Sequence, residues 1–352
     1  MRIRYTNRVS HKIRAKMLHF YCIAIKFEVS MTKIGIVGYG NLGKAVEQIA
    51  VGKEGVEVVG IFTRRNPDEM KSPFGTRFFS QKNIFDFQGQ IDVLALTVGS
   101  ADDLVPLALD VASKFNTVDS YDNHGNMREY VSAIHKVATG HNHLSVVGVG
   151  WDPGLFSLMR GLFEGIMCTN SHTFWGKGVS QGHSEAIRKI DGVKMAVQYT
   201  VPNTSAIEKA KMGQCNELKS TDKHKRECYV VAEEGADREC IENQIKNIKG
   251  YFVGYDTTVH FVDETEFCQN HNNLYHGGRV LCSKSIDGKN FYADFTVQMQ
   301  SNPHFTASIL LAYACAVDRM YKNGDRGAKT ILDLPIGCLF DCNRLDIIEK
   351  YL

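Results

Sequence analysis

Hydrophobic positions along this chain follow two grammars that change near residue 155. In the first, short apolar runs alternate with amphipathic stretches. Lys33 to Val37 is a run of β-branched and small apolar residues, and Leu42, Ala45, Val46, Ile49 and Ala50 follow at the spacing of one helical face. Val56 to Phe62 is a second strand, and Pro67 to Gln88 a connection holding one short aromatic strand, Thr76 to Phe79. Strands Ile91 to Thr97, Asn116 to Ser120 and Leu144 to Val149 then alternate with helices from about Leu104 to Phe115 and from Met127 to Ala138. Such alternation predicts an α/β, Rossmann-type doubly wound parallel sheet over residues 31–154.

From Leu155 the strands come with few intervening helices: Ala196 to Val201, Glu227 to Ala232, Thr257 to Val262, Gly278 to Ser283 and Asn290 to Gln298. That grammar predicts a second, α+β domain with a mostly antiparallel sheet over 155–301. It also carries a glycine-rich stretch, Gly178 to Ser184, and a basic turn, His224-Lys225-Arg226. Asn302-Pro303 then opens a long helix through Tyr321, so 302–352 is read as a helical segment packing back on the first domain.

Composition narrows the function classes. With 352 residues, 43% hydrophobic and 23% charged, the chain can bury two cores, and a net charge of +2 gives no reason to expect a nucleic-acid or membrane partner. The ten cysteines show no framework or zinc spacing, which points to reduced thiols in a cytoplasmic protein with no metal site. Residues 1–30 carry seven Lys or Arg against one Glu, without a secretory or membrane-spanning pattern. Met31 directly precedes the first strand as an initiator would, and the basic extension is read as disordered or as an upstream start.

The first strand ends in Gly38-Tyr39-Gly40-Asn41-Leu42-Gly43, a G-x-G-x-x-G turn with a strand before it, a helix after it and a second strand at the right distance. Gly38 permits the tight turn, Gly40 lets backbone approach a pyrophosphate, and Gly43 lets helix and strand pack closely. The second strand ends in Thr63-Arg64-Arg65 where an NAD site carries an acid, and two guanidiniums suit a 2′-phosphate. The cofactor is therefore read as NADP, with no carboxylate at that strand end to repel it.

Ligands of such sheets lie outside the carboxyl ends of the strands. The loops there are Gly38 to Gly43, Thr63 to Arg65, Thr97-Val98-Gly99-Ser100, Ser120-Tyr121-Asp122 and Gly150-Trp151-Asp152-Pro153-Gly154. In the last, Asp152 is placed as a helix N-cap with Pro153 at the first helical position. Asp122 and Asp152 both end on strand exits facing the nicotinamide pocket.

Together GYGNLG, FTRR, DSYDNH, GWDPGLFS, HTFWGKGVSQGHS, VQYTVP, DKHKRE, YFVGY, HGG and NPHFTAS give residues 31 to about 339 a specific resemblance to the meso-diaminopimelate D-dehydrogenases. The resemblance implies NADP-dependent oxidative deamination of the D-centre of meso-2,6-diaminopimelate by a homodimeric enzyme. It implies that Asp122 and Asp152 contact the reacting amine, with Trp151 and Trp175 shaping the pocket. At the distal L-centre it implies Thr200, Arg226 and His276, with Ser180, Gln181 and Gly182 also at the substrate and Asn302 closing the site. Either Asp could take the ammonium proton or activate the water that hydrolyses the imine. Glu185 departs from the family, standing where a shorter Asp is implied. The competing readings are another NADP-dependent D-amino-acid dehydrogenase or imine reductase, and a non-catalytic NADPH sensor.

Overall fold

A computed structural model describes residues 31–99, 102–214, 218–271 and 275–352, with Gln181 described by its backbone alone. The basic extension 1–30 and Ser100 lie outside the described residues, as does the side chain of Gln181.

The first layer is built from β1 (Thr32–Val37), α1 (Asn41–Val51), β2 (Val56–Thr63), β3 (Phe78–Ser80), β4 (Val93–Leu96), α2 (Leu104–Val111), β5 (Asn116–Asp119), α3 (Met127–Gly140) and β6 (Leu144–Val147). After it come α4 (Leu155–Met167), β7 (Ser171–Trp175), β8 (Gly178–Val179), α5 (Gln181–Arg188), β9 (Val193–Pro202), α6 (Thr204–Lys211) and α7 (Ser220–Lys223). The chain continues through β10 (His224–Ala232), α8 (Arg238–Lys246), β11 (Asp256–Phe261), α9 (Glu264–Asn270), β12 (His276–Ile286) and β13 (Lys289–Met299). It closes with α10 (Asn302–Lys322), β14 (Gly327–Thr330) and α11 (Arg344–Tyr351).

Seven parallel strands form the first sheet in the order β14-β6-β5-β4-β1-β2-β3. The strand order reverses between β1 and β4, and the crevice outside that switch point is where such sheets take a ligand. One face is covered by α1 and α10: Ile34, Ile36, Val93, Ala95 and Val118 pack with Ala45 and Val46 and with Leu310, Leu311, Ala314 and Val317. The other face, with Leu94 and Leu96, buries Leu104, Leu107 and Val111 of α2 and Tyr130 and Ile134 of α3. Strands buried on both sides explain near-continuous apolar runs such as Val93–Leu96 rather than alternation.

The second unit holds two sheets, β11-β10-β9-β8 and β13-β12-β7. All their pairings are antiparallel except β10 with β11. Its helices α5, α6, α8 and α9 correct the expectation of few helices between strands. They are short, with little room for a periodic signal to accumulate, and each of the last three is capped by an Asn or Asp at its start. His224-Lys225-Arg226 is likewise no turn: it opens β10, with His224 and Arg226 buried and Lys225 exposed. Nor is Asp152 an N-cap. The cap of α4 is Gly154 at φ +130, where a Cβ would lie 1.9 Å from Gly150 O, so the helix starts two residues late and Asp152 is released for other work.

Candidate active site

The glycine turn has the geometry of an anion cradle. Gly38 takes φ +95 and its N–H donates to Phe62 O at 2.9 Å, which fixes the turn to β2. A Cβ on Gly43 would come within 2.3 Å of Gly38 O, so α1 must start with a glycine pressed on the turn. At Gly40, by contrast, a Cβ would meet nothing within 4 Å. No packing inside the protein demands glycine there, whereas the close approach of a pyrophosphate does. The N-terminus of α1 has neither a side-chain cap nor an acid in its first turn, leaving its amide dipoles for an anion. Thr97 is buried and donates to Val37 O and Gly38 O, bracing the turn from β4, while Val98 packs against Gly38. Tyr39 turns its ring into the core, where its hydroxyl donates to buried Glu47, so its backbone alone faces the cradle. Asn41 and Gly99 are exposed and Leu42 half-buried.

At the end of β2, Thr63 Oγ1 accepts the Arg65 N–H at 3.1 Å, and Arg65 Nη2 donates to Tyr39 O at 2.8 Å. Arg64 corrects the expectation that no carboxylate stands nearby. Asp103, at the start of α2, holds its guanidinium through two bonds of 2.6 Å, in an exposed pair. The residue that supplies it lies 39 positions away in sequence, beyond the reach of a local reading.

Asp119 ties together the two strand exits that carry the candidate acids. Its buried carboxylate accepts from the N–H groups of Tyr121 and Gly148, each at 3.0 Å, and from the Tyr130 hydroxyl at 2.7 Å. Burial pushes its pKa up. Tyr121 stacks on Tyr130 with ring centroids 4.1 Å apart, and Ser120 and Asp122 follow outward toward solvent. The neighbouring exit, Gly150 to Pro153, delivers Asp152, whose side chain is 4% exposed. Its Oδ1 accepts from Arg160 Nη2 at 2.6 Å and its Oδ2 from the Trp175 indole at 2.9 Å.

The second unit closes around that carboxylate. Trp175 stacks on His224 (centroids 5.5 Å apart, 27° between planes), and its backbone N–H donates to His224 Nε2 at 2.8 Å. Trp151 packs edge-on against Phe156 and lies 4.8 Å from His276. His276 Nδ1 lies 2.8 Å from the Gly277 N–H and 3.1 Å from Gly277 O, which fixes the ring at the head of β12. Burial lowers the His276 pKa, and burial first and then Arg226 push His183 down to about 4. Ser180 Oγ bonds His183 Nδ1, and Gly182 is exposed beside it. Thr200 and Arg226 face each other across β9 and β10, with Nη1 donating to Oγ1 at 2.7 Å. Arg226 is 7% exposed and lies 4.1 Å from the Tyr255 ring, and no carboxylate among the described residues pairs with it. Its buried Nε has no hydrogen-bond partner among the described residues. Asn302 accepts from Thr306 Oγ1 at 3.0 Å at the head of α10. Glu185 is exposed and pairs with Arg188 on the surface of α5.

Arg160, His183, His224 and Asp119 are the residues the sequence reading missed. Arg160 left no periodic trace, because Asp152 lies in the loop before α4 and shares no helical face with it.

A family model described as the diaminopimelic acid dehydrogenase C-terminal domain matches residues 150–301. The meso-diaminopimelate D-dehydrogenase of Ureibacillus thermosphaericus is 46% identical over 326 residues, covering 92% of this chain and all of the relative. The Corynebacterium glutamicum diaminopimelate dehydrogenase, solved with diaminopimelate, superposes with a TM-score of 0.82 at 38% identity, over 92% of this chain and all of that one. An engineered D-amino acid dehydrogenase bound to NADP+ superposes with a TM-score of 0.77 at 37% identity, again over 92% of this chain and 100% of its own. This chain belongs to the meso-diaminopimelate D-dehydrogenase family.

Proposed function

We infer that the protein oxidatively deaminates the D-centre of meso-2,6-diaminopimelate with NADP+ and water, giving L-2-amino-6-oxopimelate, ammonia and NADPH, and that it runs the same reaction in reverse. The observation that carries this reading is Arg226, a buried guanidinium beside Thr200 with an unpartnered Nε. A cation so placed is costly unless an anion joins it, and the distal carboxylate of a diamino diacid supplies one. His276 and Thr200 add uncharged polar groups to that end. At the other end Asp122 and Asp152 are acceptors suited to the reacting amine. A pocket with a cation at one end and carboxylates at the other reads a zwitterion in one direction only.

The cofactor assignment rests on the open space at Gly40, the uncapped start of α1, and Arg64 and Arg65 at the end of β2. The nicotinamide, when bound, supplies the hydride acceptor. The protein's own task is to fix the α-C–H against it, hold the amine and exclude bulk water. Trp151 and Trp175 wall the reacting end, and Asp152 and Asn302 sit where the chain leaves and re-enters the first sheet. Residues 31–154 serve as the NADP unit, 155–301 as the substrate and dimerisation unit, and 302–352 as the segment returning to the first sheet, in a homodimeric, cytoplasmic enzyme. Among the described residues no helix is long and apolar enough to cross a membrane.

The test is incubation with meso-, L,L- and D,D-diaminopimelate and NADP+, following absorbance of the reduced cofactor. Turnover is expected with the meso isomer and not with the L,L isomer. Equal rates with unrelated D-amino acids would favour the broader dehydrogenase instead.

A further inference from the structure

The carboxylate of Asp152 sits on a loop, and a loop side chain owes its direction to whatever holds it. One guanidinium does most of this. Arg160, on α4, brings Nη2 to Oδ1 at 2.6 Å and Nη1 to Oδ2 at 3.4 Å. The fork is itself fixed on two further sides, Nη2 donating to Ser157 Oγ at 3.0 Å and Nη1 to Thr173 Oγ1 of β7 at 3.2 Å. Ser157 Oγ also accepts the Gly154 N–H at 3.2 Å, which ties the loop to the same helix turn. The pair is sheltered, with Arg160 25% and Asp152 4% exposed. A planar guanidinium with several fixed partners constrains a carboxylate far more than a mobile ammonium does.

We propose that Arg160 is a positioning residue of the reaction: without touching substrate, it fixes the plane of the Asp152 carboxylate and so the direction from which the reacting amine is held. This rests on the reading in which Asp152 meets that amine. The Trp175 indole adds a third support at Oδ2, so the amine is met by oxygen lone pairs whose direction is set before substrate arrives. An ion pair that merely stabilised the fold would tolerate any substitution that kept the chain folded, and would leave turnover alone.

The experiment compares the full-length wild type with Arg160→Ala, assaying NADP+ reduction with meso-diaminopimelate, NADP+ binding by fluorescence titration, and melting temperature. The expected result is a fall in kcat of roughly 10- to 100-fold, the usual effect of a small misplacement at a reacting group, with NADP+ affinity retained. Low concentrations of methylguanidinium should restore turnover saturably, and tetramethylammonium at equal ionic strength should not. Wild-type kinetics in the variant would overturn the proposal, and so would a loss that the two cations relieve equally. If Arg160→Ala fails to fold, Arg160→Lys decides: a cation without the fork should bind NADP+ normally yet turn over at least about tenfold more slowly, and an undiminished kcat would overturn the role. A wild-type chain that leaves NADP+ unreduced with meso-diaminopimelate would overturn both this proposal and the functional reading. A positioning role that fails alone shows instead as an active wild type matched by its variant.

Discussion

Two arginines in this protein have opposite circumstances, and the difference decides what each will do when replaced. Arg226 is buried without a counter-carboxylate, so its charge awaits a ligand. Replacing it by Met keeps much of the volume and leaves Asp122 and Asp152 in place. Turnover of meso-diaminopimelate should fall by two orders of magnitude or more, from the ~2 to 5 kcal/mol usual when a buried charge pair loses one partner. Apolar D-amino acids without a distal carboxylate should be unaffected or improved, and steady-state kinetics on both substrates will tell. Arg64, in contrast, is exposed and already paired with Asp103. A 2′-phosphate must displace that carboxylate, at a cost of up to about 1 kcal/mol for an exposed pair. Asp103→Asn should therefore tighten NADP binding by up to about fivefold and leave NAD unchanged, whereas neutralising Arg64 and Arg65 together should weaken NADP far more than NAD. Calorimetric titration of the two cofactors checks both, and equal changes for NAD and NADP would sink the phosphate assignment.

Among the elements, β10 shows where the sequence was legible and where it was not. The central parallel strands of the first sheet, β1, β2 and β4, announce themselves because both faces are buried and their residues are mostly apolar. In β10 the buried positions at the strand's start are His224 and Arg226 and the exposed one is Lys225, so three polar residues in a row read as a solvated turn. Functional sites break the apolar-inside rule in this way. The same strand gives a dependence on pH. His224 Nε2 accepts the Trp175 N–H, which requires the neutral ring, and burial pushes its pKa to about 4, as burial and Arg226 do for His183. Both groups bind protons more readily unfolded, where the ordinary value is 6.5. Folding stability should thus be complete above pH 6.5 and decline as pH falls toward about 4. Chemical denaturation at stepped pH will measure the slope, and His224→Gln, which keeps an acceptor but cannot titrate, should flatten it. A slope indifferent to that change would remove His224 from the account. Gly178 is a sharper case still: a Cβ there would come within 2.7 Å of the His276 Cα, so Gly178→Ala should displace His276 and raise KM more than it lowers melting temperature.

At the scale of the whole molecule, the alternation of apolar runs and helices made the parallel sheet legible, though not its edge strand β14, and the strand-rich grammar after residue 155 made the mostly antiparallel unit legible, though not its pairings. Pairings such as β10 with β11, parallel among antiparallel neighbours, depend on long-range register that no local pattern carries. The last helix illustrates the same limit in time rather than space. α10 covers β1, β4 and β5, and Thr32 at the head of β1 donates to buried Asp318 across 286 positions. A ribosome has therefore released six of the first sheet's seven strands long before the helix that seals them exists. Until α10 emerges, the part of that face which α1 does not cover stands open, and non-local contacts of this reach are slow to form and prone to association meanwhile. Residues 31–154 made alone should accumulate as aggregate, and supplying 302–352 as a separate chain should raise the soluble yield. The nascent protein has to wait for its own end.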